Sequence, residues 1–102
     1  MTDKNGKAVV VLTGSKSSGN LCVFGYTEDP YASDVRLSSA RCCIYWTKKT
    51  GGIFGLATVG PVKGSRVGRM VSSVMLRDVC LVMEATDSAV YEWEGAPVYV
   101  GE

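Results

Sequence analysis

Ala8-Val-Val-Val-Leu-Thr13, then Gly14-Ser-Lys-Ser-Ser-Gly19, then Leu21-Cys-Val-Phe-Gly-Tyr26 is the stretch from which the fold is read. A β-branched run, a Gly/Ser cluster and a second apolar run spell strand, turn and antiparallel strand. Outward from this hairpin, Val35-Arg-Leu37 reads as a short strand after the Glu28-Asp-Pro-Tyr31 loop. Ala40-Arg-Cys-Cys-Ile-Tyr-Trp46 reads as another. In the latter, Ala40, Cys42, Ile44 and Trp46 share one face, expected to be core, and Arg41, Cys43 and Tyr45 share the other, expected to be half-exposed.

Thr47-Lys-Lys-Thr-Gly-Gly52 is a polar loop, and Ile53, Leu56 and Ala57 then fall at helical spacing before Gly60-Pro61. Lys63-Gly-Ser-Arg-Val-Gly-Arg69 reads as a second basic, glycine-bearing loop. Met70–Met75 and Val79–Met83 follow as strands, and Thr86 stands as N-cap of a helix through Ala89–Trp93 that stops at Gly95. The expected fold is α+β: a small, mainly antiparallel sheet or open barrel of five to six short strands with two short helices.

The chain has 102 residues, 46% hydrophobic and 21% charged, which fits one domain over 1–102, with 1–7 expected to be flexible. No apolar run approaches the roughly 20 residues needed to span a bilayer as a helix. The polar start Met1–Lys7 and the short apolar run after it do not resemble a secretory signal, so a cytoplasmic location is expected. There the four cysteines, Cys22, Cys42, Cys43 and Cys80, are expected to be reduced, buried structural thiols.

There is no histidine, which excludes His-based triads, HExxH zinc sites and imidazole general bases. Gly14–Gly19 has phosphate-loop spacing but lacks the following Lys-Ser/Thr. Gly64–Gly68 has no βαβ context for a dinucleotide. Glu92 and Glu94 point different ways on a helix. Neither a catalytic constellation, a metal site nor a cofactor is expected, and the protein is read as no enzyme.

The net charge of +1 conceals a segregation. Arg36, Arg41, Lys48, Lys49, Lys63, Arg66, Arg69 and Arg77 occupy a segment, 35–77, without an acid, while Asp78, Glu84, Asp87, Glu92, Glu94 and Glu102 occupy 78–102 without a base. One reading docks the acidic part on the basic one, within a subunit or between copies; the other makes the basic part a binding surface. Lys48 and Lys49 follow Tyr45-Trp46, and Lys63, Arg66 and Arg69 lie among Gly64, Ser65 and Gly68. Bases beside glycine N–H groups suit phosphate, and an adjacent aromatic suits a nucleobase. Trp46 fits the core equally well, which favours Tyr45 for stacking. A pI near 7.6 and the acidic end place extended nucleic acid behind a small ligand.

Leu37-Ser-Ser-Ala-Arg-Cys-Cys-Ile-Tyr-Trp46, Ile53-Phe-Gly-Leu-Ala57, Gly60-Pro61, Ser65-Arg66 and Val79-Cys-Leu-Val-Met83-Glu-Ala-Thr-Asp87 together resemble a family of small tailed-phage (prophage) proteins of unassigned function. The resemblance spans roughly 20–98 and departs at Cys42-Cys43 and at Lys48-Lys49. It implies action in the cytoplasm of an infected bacterium and supplies no catalytic residue. The expectation is a homo-oligomeric accessory protein that sequesters an anionic nucleotide-type signal and so counters host defence. In it, Tyr45 or Trp46 would stack on a base, Lys48, Lys49, Lys63, Arg66 and Arg69 would hold phosphates, and Gly64 and Ser65 would add donors. The rivals are an inhibitor of a host protein, using exposed Tyr31, Tyr91 and Trp93, and a virion or assembly component.

Overall fold

A computed structural model describes residues 6–15 and 19–100, with side chains from Ser15 to Asn20 outside the description. The strands are β1 (Lys7–Ser15), β2 (Gly19–Thr27), β3 (Val35–Tyr45), β4 (Arg66–Leu76) and β5 (Val79–Glu84). The helices are α1 (Ile53–Thr58) and α2 (Asp87–Gly95), with a single 3-10 turn at Lys48–Thr50. The strands form one antiparallel open sheet in the order β4-β3-β2-β1-β5. This is the expected α+β class with five strands, because Val35–Leu37 and the segment from Ala40 to Tyr45 are parts of one strand, which ends before Trp46. Lys7 pairs with Thr27 at the start of β1. Residues 1–5, 16–18 and 101–102, and with them Glu102 of the acidic segment, lie outside the described residues.

Chain length dictates the curvature of the sheet. Strands β4 and β5 are its two edges, which a flat sheet would hold four spacings of about 4.8 Å apart, roughly 19 Å. Only Arg77 and Asp78 lie between the two strands, and three steps from Leu76 to Val79 reach at most about 11 Å. The sheet must roll to bring its edges together there. Asp78 takes φ 57, and its carbonyl accepts from Gly14 N at 3.1 Å, which fixes the link to β1.

Inside the roll lie Val9, Val11, Val23, Val35, Leu37, Ala40 and Leu76, all between 0 and 5% exposed although no helix covers them. The opposite face carries Val10, Cys22, Phe24, Cys43 and Val67, and these pack against Leu56 and Ala57 of α1 and Ala89 and Trp93 of α2. On β3, Ala40 and Cys42 lie on the inner side and Cys43 toward the helices, but Trp46, expected beside Ala40 and Cys42, packs with the helix-side core, because register shifts near Cys43 and Tyr45 break the alternation before it. Both faces are covered, however, so Arg41 and Cys43 are buried rather than half-exposed, and Ile44 is exposed.

The helices are tied to each other end to start. Thr86 N donates to Ala57 O at 2.9 Å, and Thr86 Oγ1 donates to Thr58 O at 2.6 Å while accepting from Ala89 N as the N-cap of α2. Trp93 Nε1 donates to Leu56 O at 2.8 Å, and its ring stacks on Phe24 at 5.3 Å. Trp93 is therefore the heart of the outer core and not the exposed interface residue expected from sequence.

Candidate functional site

The two basic segments meet at one end of β3 and β4. After Tyr45, the chain turns through Thr47, whose N–H donates to Ser65 Oγ at 3.3 Å. The 3-10 turn is closed by Thr50 N to Thr47 O at 3.1 Å and by Gly51 N to Lys48 O at 3.1 Å. Thr50 Oγ1 adds a bond to Thr47 O at 2.7 Å. This turn presents Lys48 and Lys49 to solvent, on an anchor formed by buried Thr50. Opposite it, Ser65 N donates to Val62 O at 3.0 Å and shapes a tight turn that exposes Lys63 and Gly64. Gly64 has φ +99, and a Cβ there would lie 3.0 Å from Thr47 Cγ2, so glycine serves both the backbone and the contact between loops.

Arg66 and Arg69 are strand residues, not loop residues: β4 begins at Arg66, which pairs with Tyr45. The Arg66 guanidinium lies 5.6 Å from the centroid of the Tyr45 ring and 4.9 Å from that of Tyr99. Tyr99 is held there because its N–H donates to Val67 O at 2.9 Å, in the segment where Val98 bridges to Val67. Attraction to two ring quadrupoles holds the cation in place without neutralising it. Tyr45 stays 50% exposed. Trp46 is half-buried against the helix-side core, which leaves stacking to Tyr45.

The structure thus gathers Tyr45, Lys48, Lys49, Lys63, Gly64, Ser65 and Arg66 on two touching loops and the strand ends beside them. Arg69 is exposed farther along β4, and none of the contacts described above joins it to the loops. Sequence reasoning missed Tyr99, which is brought to Arg66 by a contact 33 positions away along the chain. It also counted Arg41 as surface charge. Arg41 is only 7% exposed, and it donates to Gly68 O (2.9 Å), Trp93 O (2.8 Å) and Ala96 O (2.7 Å). Its role is to fasten the end of α2.

Electrostatics divides the surroundings. A hollow of about 600 Å³ is lined by Lys63, Gly64 and Ser65 on one side and by Glu92 and Glu94 on the other. Acidic α2 therefore faces one flank of the basic loops.

Thiol chemistry is not poised here. Burial pushes Cys22 up to about 12, with Cys43 and Cys42 adding to the shift, and pushes Cys43 up to about 11. All four cysteines are free; Cys80 differs from expectation in being exposed. No group of three His, Cys, Asp or Glu side chains among the described residues is placed to hold a metal ion. No helix among them is long and apolar enough to cross a membrane.

Residues 6–93 match a family model described as a domain of unknown function (DUF6948). Neither a curated protein nor a solved structure matches the chain.

Proposed function

We infer that this chain, which belongs to the DUF6948 family, is a non-enzymatic protein that binds an anionic, nucleotide-type ligand on the face formed by Tyr45, Arg66 and the two lysine-bearing loops. The observation that carries the reading is the Arg66 guanidinium lying over Tyr45 and Tyr99 beside those loops. A cation held by rings keeps its N–H groups for an incoming phosphate, and Lys48, Lys49 and Lys63 add charge around it. The half-exposed Tyr45 ring offers a stacking surface to a base, and the Ser65 hydroxyl, which accepts from Thr47 N, retains its own proton to donate. A binder without turnover acts by holding its ligand. In the cytoplasm of an infected bacterium, the setting implied by the phage resemblance, it would sequester a nucleotide signal.

Thermal unfolding with cyclic dinucleotides, cyclic ADP-ribose isomers, mononucleotides and short oligonucleotides tests this. A ligand at 100 times its Kd adds about 2.7 kcal/mol of stability. The expected result is a selective shift that Tyr45→Ala and Arg66→Ala abolish. A folded protein that no nucleotide stabilises, or a shift indifferent to Arg66→Ala, overturns the reading.

A second reading, a host-protein inhibitor, is favoured by Tyr31, Phe54 and Tyr91, which expose 74%, 70% and 77% of their surface. Large exposed aromatics suit protein interfaces. Retention of one stoichiometric host protein, lost in Phe54→Ser or Tyr91→Ser, would identify it.

A further inference from the structure

The sheet has two different free edges, and they complement each other. Among the described residues β4 and β5 are not hydrogen-bonded to one another, although two residues join them. On the outer side of β4, the bridge from Val98 and the bond from Tyr99 reach only Val67. From Arg69 to Leu76 no further described strand covers this edge, and Met70, Val71 and Met75 are 46, 48 and 44% exposed. Long, apolar free edges recruit other strands unless they are protected. This edge carries bases, Arg66 and Arg69, and no acid. The other edge, β5, pairs with β1 on one side only, is preceded by Asp78 and ends in Glu84, whose Oε2 holds Lys7 Nζ at 3.4 Å and accepts from Tyr31 at 2.9 Å, which leaves Oε1 toward the edge.

We propose that the β4 edge takes the β5 edge of a second copy in antiparallel register, head to tail, so that subunits join into a closed ring. The register follows from the pairing inside one chain. Met70 sits opposite Arg41, Arg41 opposite Phe24, Phe24 opposite Val10, and Val10 opposite Met83. These five side chains form one row across the helix-side face. Seating Met70 opposite the partner subunit's Met83 extends this row into the next subunit. Val71 then faces the partner subunit's Val82, and Arg69 the partner subunit's Glu84, both short of the bulge that sets Cys80 out of register in β5. Apolar partners meet on both faces, and the charges at the end of the contact are opposite.

Pairing of β4 with another β4 would instead bring together two strands that bear only positive charge. Because the two edges differ, the contact is heterologous and repeats head to tail from copy to copy, the arrangement from which rings are built. The segregation of basic and acidic residues along the chain then has a use between copies. Arg69, away from the two loops, belongs to this edge. The inference is independent of the ligand reading.

The test is the mass of the full chain by light scattering in about 50 mM salt, where surface charge is weakly screened. The expected species is at least three times 10.9 kDa. Arg69→Glu and Glu84→Arg each place like charges at the contact and are expected to raise the dissociation constant roughly three- to tenfold, and the double variant to restore it. All the substituted side chains are exposed, and circular dichroism checks their folding. A monomer at every concentration, or a dimer indifferent to Glu84→Arg, overturns the proposal; the latter would point to β4–β4 pairing.

Discussion

The Arg41 guanidinium donates to the Trp93 carbonyl at 2.8 Å, across 52 positions of chain. Together with the bond to Ala96 O, it supplies donors to the carbonyls at the end of α2, a place where a cation is also favoured by the helix dipole. The third bond, to Gly68 O, pins that helix end to β4. Removal of the side chain leaves three carbonyls without this donor. Arg41→Leu is expected to lose about 2–4 kcal/mol in urea unfolding, with only part regained by Arg41→Lys, whose compact ammonium does not reproduce the guanidinium fork.

Trp93 combines two contributions that substitution separates. Trp93→Phe keeps a ring beside Phe24 and loses the indole bond to Leu56 O, for an expected cost of about 1–2 kcal/mol. Trp93→Ala removes the largest fully buried side chain and is expected to cost about 3–5 kcal/mol. Equal losses in the two variants would show that the hydrogen bond, not the packing, dominates.

Stability is expected to fall on the alkaline side. Cys22 and Cys43 ionise in the folded chain near 12 and 11, against an ordinary value of 9.0. From about pH 9 upward the unfolded chain therefore loses thiol protons that the folded chain retains, and folding stability drops by up to about 1.4 kcal/mol per pH unit for each thiol. Tyr26, raised by burial and by its bond to Glu94, adds to the same trend. Below pH 9 the thiols leave stability unchanged. Unfolding midpoints between pH 8 and 11 check this, and Cys22→Ala should flatten the slope.

Gly55 is demanded by a close approach. A Cβ there would lie 1.5 Å from Thr50 O, so α1 cannot keep its position with any side chain at this site. Gly55→Ala is expected to cost more than about 2 kcal/mol. Gly51→Ala, which meets no atom but must adopt φ +82, should cost about 1 kcal/mol. Denaturant midpoints of the two variants rank them.

Much of this fold is legible because the periodicity is clean where each element lies: β1 and β2 around their Gly/Ser turn, α1 at 53, 56 and 57, and α2 behind Thr86. Strand β3 is hidden by Ser38-Ser39. Ser39 has φ 50 and marks the extra residue between the Tyr26–Ser38 and Phe24–Arg41 pairs, a bulge that interrupts the pattern without ending the strand. The start of β4 is hidden by Gly64 and Gly68, which suggest a loop until Tyr45 and Cys43 supply strand partners. Of the candidate site, the lysines and Tyr45 are readable because a basic loop follows an aromatic. Tyr99 and the burial of Arg41 are not, because the contacts that place them are long-range and, for Arg41, made to backbone carbonyls that any residue type provides.

The pairing of β1 with β5 also sets the order in which the molecule can form. The first hairpin is local, but β1 receives its second neighbour only from residues about 70 positions later. Such distant pairings slow folding, because loop closure must precede the contacts that stabilise it. During synthesis, Val9, Val10 and Val11 remain without that neighbour until β5 has left the ribosome. A nascent chain halted before Val79 therefore holds a β-branched template open to its neighbours on the same message, and the interval before β5 emerges is when this protein is most vulnerable to aggregation.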